Sequence, residues 1–225
     1  MYPYSILNRE MNIFPIFGDM LSKAEFVSMS DDSGWMNNLK EDEIREQKKF
    51  QNKLSEVRET TNTNIIISGY LEKRKRMFEI LGYHQMVEQE RFYHLGLDLS
   101  VAKGTQVYCP LSGVIFEVGY EEGIGNYGGY IIIKHEINGD IFYSFYGHVS
   151  YKNISLKEGD AILAGDKLGI IGDFDENGGY FHHLHLQIIT ELGKESGFFS
   201  KGYCTKEQIE IISRYTPDPS FLFRY

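Results

Sequence analysis

Two strings with a period of two constrain this chain more than anything else in it: His94-Leu-Gly-Leu-Asp98 and His183-Leu-His-Leu-Gln187. Side chains two and four apart on a β-strand share a face, so His94, Gly96 and Asp98 fall on one side of the first string and Leu95, Leu97 and Leu99 on the other. In the second, His183, His185 and Gln187 alternate with Leu184, Leu186 and Ile188. Each string therefore predicts a strand with one apolar face toward a core and one face of imidazoles and polar groups. Gly96 lacks a side chain and is expected to leave room between His94 and Asp98 for an ion with bonds of about 2 Å. A helix would also bring positions 94 and 98 together, but the alternation with an internal glycine favours a strand, and HExxH is absent. Either string alone has a plain reading, because a single histidine in an apolar strand is usually packed and hydrogen-bonded. Jointly, and with His148 in a Tyr-Gly-His-Val turn between them, they point to a metal site.

The surrounding texture agrees with strands. From Arg91 onward, short alternating runs are separated by glycine turns at the spacing of an all-β sandwich or barrel. Asn138-Gly139 predicts a hairpin between Tyr130 to His135 and Ile141 to Tyr146. His135, at a strand end, reads as structural. Leu156-Lys-Glu-Gly-Asp and Leu163-Ala-Gly-Asp-Lys predict tight turns, and a helix over Thr205 to Tyr215 is stopped by Pro217-Asp-Pro219. Ahead of Arg91, residues 36–60 predict one amphipathic helix carrying Phe50, Leu54 and Val57 at i, i+4 and i+7. Residues 70–82 predict a second closing on Gly82, with the Lys73-Arg-Lys-Arg76 run on its solvated face, and Asn64 to Ser68 a strand or linker. The organisation expected is a largely helical N-terminal extension over 1–90, a β domain over 91–195, and a C-terminal helix and tail over 196–225 packing on it.

The stretch from His94 to about Thr190 resembles the lysostaphin and LytM type of zinc metallopeptidases, metallopeptidase family twenty-three. The likeness runs in the family's order through HLGLD, KGTQVYCPLSGVI, GNYGGYIIIKH, FYGHVS, LKEGDAILAGDKLGIIG and HLHLQI. It implies a mainly β fold, an antiparallel sheet in a sandwich and barrel-like hybrid of the lysostaphin type. It also implies one Zn2+ per chain held by His94, Asp98 and His185, with His148 and His183 as catalytic histidines. His182 stands where the family usually has proline and Gln187 where glutamate is common. The reaction implied is endopeptidase cleavage of a peptide amide, a glycine-rich or D-amino-acid-containing peptidoglycan link. With no HExxH glutamate, His183 is the general base expected, and His148 the group that orients water or stabilises the oxyanion. Gly69 to Phe78, Ile171 to Tyr180 and Pro217-Asp-Pro219 further resemble a subgroup found joined to class III aminotransferase and kinase-like domains, neither of which is present in this sequence.

Other function classes are disfavoured by what the chain contains. With 32 acidic against 23 basic residues the net charge is −9, which argues against nucleic acid or an anionic wall polymer as a partner. No run approaches the roughly 20 apolar residues of a membrane span. Met1-Tyr-Pro-Tyr has no basic leader, and Pro15 and Asp19 interrupt the apolar patch Ile13 to Leu21, so a cytoplasmic location is expected. Cys109 and Cys204 have no CxxC spacing and read as free thiols. Gly123-Ile-Gly-Asn-Tyr-Gly128 spells GxGxxG, but a strand rather than a helix is predicted after it, so it reads as a loop at the mouth of the site. There is no GK[ST] and no GxSxG. Three rivals stay open: a non-catalytic metal-bearing module, a phosphocarrier of the glucose-specific transport type, for which His183-Leu-His185 has no use, and an amidase acting on a small cytoplasmic metabolite.

Overall fold

Alternating apolar residues build the centre of the molecule. A computed structural model describes residues 13–19, 23–199 and 201–223; the opening Met1-Tyr-Pro-Tyr and the end of the Ile13 to Leu21 patch, on which the leader reading rests, lie outside them. The chain forms β1 (Ala24–Phe26), α1 (Gly34–Asn38), α2 (Glu41–Arg45), α3 (Gln47–Thr61), β2 (Ile65–Ser68), α4 (Lys75–Leu81) and α5 (His84–Glu88). It continues through β3 (Tyr93–His94), β4 (Leu97–Ser100), β5 (Gln106–Tyr108), β6 (Gly113–Glu121), β7 (Gly128–Ile137) and β8 (Asp140–Val149). Then come β9 (Ala161–Ile162), β10 (Lys167–Ile170), β11 (His183–Thr190), α6 (Glu191–Glu195), β12 (Tyr203–Cys204) and α7 (Ile209–Ile212).

Among the described residues an eight-stranded sheet runs in the order β1-β2-β4-β11-β8-β7-β6-β9, with β10 paired to β5 and β12 to β3 apart from it. The protein is mainly β with helices toward its N-terminus, as expected. The large sheet is mixed rather than wholly antiparallel, because β1 and β2 run parallel. The short stretch Asn64 to Ser68 is a strand, and it carries the segment ahead of Arg91 into the main sheet beside β4.

Faces follow the alternation. Leu97, Leu99, Leu184, Leu186 and Ile188 pack in one core with Ile131 and Ile133. Ile132, Phe145 and Ile189 pack on the opposite side with Phe198, Cys204 and Ile212 of the C-terminal segment. Each such side chain contributes about 1.5–3 kcal/mol when taken out of water, and a one-residue slip would invert every face, so the register is well determined. Asn138 (φ 53°) and Gly139 (φ 87°) both take the left-handed conformation that a two-residue hairpin with the twist of its strands requires.

Several local expectations are corrected. The string from His94 to Asp98 is two strands, not one: β3 ends at His94, the chain bends at Leu95 and Gly96, and β4 starts at Leu97. Residues 36–60 fall in α1, α2 and nearly all of α3 instead of a single helix. Met36, Leu39, Ile44, Phe50 and Leu54 all enter one cluster, but steps of five and six residues rotate off a single helical stripe, and the breaks near Lys40 and Glu46 realign them. Glu43 accepts the Lys40 N–H at 2.8 Å and so starts α2 afresh. The Lys73 to Arg76 run is not a solvated helical face either. Arg74 is buried, and Arg76 donates to the Met36 and Leu39 carbonyls at 2.6 and 2.9 Å, closing the end of α1. Only residues 75–81 of this segment are helical, and they end where expected, on Gly82 at φ 71°. The C-terminal helix is a 3-10 turn followed by α7, shorter than the predicted Thr205 to Tyr215. No helix among the described residues is long and apolar enough to cross a membrane.

Candidate metal centre and active site

Strand pairing assembles the site. In the β4–β11 ladder His185 lies opposite Asp98 and His183 opposite Ser100, while on the other side of β11, Gly147 of β8 faces His185. Same-face side chains of adjacent strands therefore converge. His94 arrives from β3, which Tyr203 and Cys204 pin by pairing. Gly96 does not leave space for an ion. A Cβ there would stand 2.6 Å from the Leu186 carbonyl oxygen and 2.7 Å from His185 Cε1, so the glycine makes room for the His185 ring and the crossing of β11.

Three atoms of the kinds that bind metals meet at one point. His94 Nε2 lies 3.0 Å from His185 Nδ1, and these stand 3.2 and 3.1 Å from Asp98 Oδ1. Hydrogen-bond partners fix the protons. His94 Nδ1 is 3.0 Å from the Gly69 carbonyl, which can only accept, so Nδ1 carries the hydrogen and Nε2 is bare. The Gln187 amide donates through Nε2 to the Lys201 carbonyl at 3.2 Å and turns Oε1 to His185 Nε2 at 3.0 Å, which leaves His185 Nδ1 bare. Two nitrogen lone pairs and a carboxylate oxygen thus face one another with no hydrogen between them. Burial, with Arg74 nearby, pushes the His94 pKa down, so a proton is a poor filler of that gap. Two imidazoles with a carboxylate are donors that suit a divalent metal, and these three residues could hold one.

Arg74 holds the carboxylate from behind. Its Nη1 donates to Asp98 Oδ2 and to the Tyr203 hydroxyl, and its Nη2 donates to Glu72 Oε2 at 3.0 Å. Burial alone would raise the Asp98 carboxyl, but His94, Arg74 and His183 together hold it well below the usual carboxylate range. The sequence reading missed Arg74. Its signal was the spacing of two between Glu72 and Arg74, a strand-like same-face pair hidden inside a run of four basic residues.

The remaining two imidazoles sit beside this cluster. His183 Nδ1 donates to the Phe181 carbonyl at 2.7 Å, and Nε2 lies 3.5 Å from Asp98 Oδ1. His148 Nδ1 donates to the Asn177 carbonyl at 2.9 Å. The ring centroids of His148 and His183 are 4.3 Å apart. Burial brings His183 down to about 4 and pushes His148 well below its ordinary value. His148 is not in a turn; it lies near the end of β8 with φ 64°, a left-handed conformation uncommon for a non-glycine residue and concentrated at functional sites. A register shift in the neighbouring β7 at Gly129 and Tyr130 accompanies it. Asn177, also missed, links the two: its side-chain amide donates at 3.3 Å to the Phe181 carbonyl that holds His183, while its backbone carbonyl holds His148.

A cavity of about 450 Å³ reaches Asp98, His148, His183 and His185, with Tyr127 and Tyr180 in its wall; His94 is fully buried. Gly125 and Asn126 of the loop between β6 and β7 line its mouth, as the sequence reading placed them. His135 stands apart, bonded to the Ser112 carbonyl at 3.0 Å and the Ser144 hydroxyl at 2.7 Å. Cys109 and Cys204 are buried and free, and burial pushes both thiols up to about 12.

Residues 92–196 match the family model described as Peptidase family M23. This segment is an M23 peptidase domain. His94, Asp98, His148, His183 and His185 all fall inside it, whereas Gly69, Arg74 and Tyr203, which brace His94 and Asp98, fall outside. Among solved structures, the chain is similar to lysostaphin in solution, with 30% identity over 44% of this chain and 38% of that one and a TM-score of 0.36. It is also similar to the antimicrobial peptidase lysostaphin from Staphylococcus simulans (25% identity, 51% of this chain, 42% of that chain, TM-score 0.39). A zinc-containing peptidase from Vibrio cholerae matches at 25% identity over 44% of this chain and 28% of its own, with a TM-score of 0.36. The match thus spans less than half the length of each of these three. No curated protein matches the chain.

Proposed function

We propose that the chain is a zinc metallopeptidase that hydrolyses peptide amide bonds, with His94, Asp98 and His185 as the protein ligands of one Zn2+ and His148 and His183 as its catalytic histidines. The observation that carries this reading is the meeting of two bare imidazole nitrogens and an ionised carboxylate at the floor of a cavity that also holds two further imidazoles. Zinc favours these donor types, and three protein ligands leave a position for water or substrate. When bound, such an ion polarises a carbonyl and makes water acidic enough to attack near neutral pH.

The chain's own residues do the rest. His183 has its Nδ1 hydrogen tied to Phe181, so Nε2 is the atom that accepts a proton from the attacking water. His148, tied through Nδ1 to Asn177, likewise works at Nε2, a bare nitrogen that accepts a hydrogen from the attacking water and so orients it. Depressed pKa values keep both rings neutral and able to accept. Arg74 keeps Asp98 anionic and fixed in rotation. The M23 domain favours an endopeptidase, and the lysostaphin likeness favours a glycine-rich or D-amino-acid-containing peptidoglycan link as substrate. The full-length chain, incubated with glycine-bridged and D-alanine-containing muropeptides, should release new amino termini detectable by mass spectrometry. Chelation should stop the release and added zinc restore it. A zinc-loaded chain that leaves every such amide intact contradicts the proposal.

A further inference from the structure

Arg91 is a half-buried guanidinium with no carboxylate paired to it among the described residues. Its side chain lines the cavity with Asp98, His148, His183 and His185. Its Nε is buried and has no hydrogen-bond partner. The ionisable groups that act on it are the hydroxyls of Tyr127 and Tyr180, with no carboxylate among them. Among the described residues, the other arginines removed from water are differently placed: Arg74 is paired with Glu72 and Asp98, Arg76 caps a helix, and Arg58 bonds Ser100 and Ser55. A partly desolvated cation without an anion is unfavourable until one arrives. The guanidinium fork matches a carboxylate with two parallel hydrogen bonds. Glu121 and Glu122 line the same cavity, so Arg91 is the place in it where a carboxylate is attracted.

We propose that Arg91 is the carboxylate subsite of this cavity, so that the amide presented to His183 and His148 lies close to a free carboxylate of the substrate. The inference rests on the peptidase reading of the cavity and narrows it: the preferred substrate is a short peptide carrying its carboxylate beside the cleaved bond, not the interior of a long uncharged bridge. The two glutamates of the lining suit an ammonium group elsewhere on the same ligand. The carboxylate is either a chain terminus or an acidic side chain, and two pairs of probes separate these.

Acetyl-Gly-Gly as free acid and as amide, and the amides of acetyl-Glu-Gly and acetyl-Gln-Gly, would be titrated into the full chain as purified, with dissociation constants read by nuclear magnetic resonance. The charged member of at least one pair should bind about tenfold or more tightly than its neutral partner. Arg91→Gln should erase that preference, and Arg91→Lys should keep part of it, because lysine keeps the charge but not the fork. Equal binding within both pairs, no binding of any probe, or a preference that survives in Arg91→Gln overturns the subsite. Preferential binding without cleavage of any amide would instead remove the peptidase reading and leave the subsite. Cleavage of charged and neutral forms at equal rates, unchanged in Arg91→Gln, would do the reverse.

Discussion

His135 and the four histidines of the candidate site are all buried, and burial depresses His135 and His183 alike, each to about 4. They differ in what meets their second nitrogen. His135 is matched at both, by the Ser112 carbonyl and the Ser144 hydroxyl. His94, His148, His183 and His185 each donate outward to a carbonyl oxygen. None of the four has a hydrogen left on its inner nitrogen. Burial and a shifted pKa are therefore shared by a structural histidine and by a candidate site; the unmatched inner nitrogen is what separates them.

The strongest way to break this comparison is to remove the inner nitrogens one at a time. His94→Ala, Asp98→Ala and His185→Ala should each lose bound zinc and reduce amide hydrolysis to background, measured as metal per chain and product formed. His135→Ala should keep its zinc; its loss there would erase the distinction. Next in size, His183→Ala should retain the metal and lower the turnover rate by about 100-fold to 10,000-fold, the range for a general base. An unchanged rate would transfer that role to another group.

His135 offers a test through stability. Its pKa falls from the ordinary histidine value of 6.5 to about 4 in the fold, so the neutral ring contributes stability that is fully present above about pH 6.5. That contribution is lost as the pH drops toward 4, by about 3 kcal/mol at most. Urea unfolding at pH 7 and pH 4 should differ less in His135→Gln than in the parent chain. An identical pH dependence would mean that His135 is not held neutral. The smallest effect concerns orientation: Gln187→Ala should weaken zinc binding by about 10-fold to 100-fold, the usual result of removing a group that orients a ligating histidine. Unaltered affinity would show that the Gln187 amide does not set the His185 tautomer.

Much of this arrangement is legible in the strings themselves. Strand spacing put Asp98, His183 and His185 on one face and the leucines on the other because alternation is a local property. The Asn138-Gly139 hairpin and the Gly82 helix stop were legible for the same reason. What escaped depends on contacts between distant segments. The bend at Gly96 exists because β11 crosses there, which position 96 alone does not reveal. Arg74 is buried because Glu72 and Asp98 surround it, and the basic run around it reads as surface. The single helix predicted over 36–60 holds only where Phe50, Leu54 and Val57 share a stripe, in α3; Leu39 and Ile44 lie off that stripe and reach the same cluster only through the breaks near Lys40 and Glu46.

The proposed function depends on two imidazole nitrogens and one carboxylate oxygen gripping a single zinc ion. X-ray absorption at the zinc edge of the full chain, loaded with one equivalent of metal, tests it most directly. The account predicts a nitrogen and oxygen shell with two imidazoles and no sulfur, falling to one imidazole or to no bound zinc in His185→Ala. Failure to bind zinc, a thiolate in the shell, or a parent spectrum with three or four imidazoles that is unchanged in His185→Ala would contradict it.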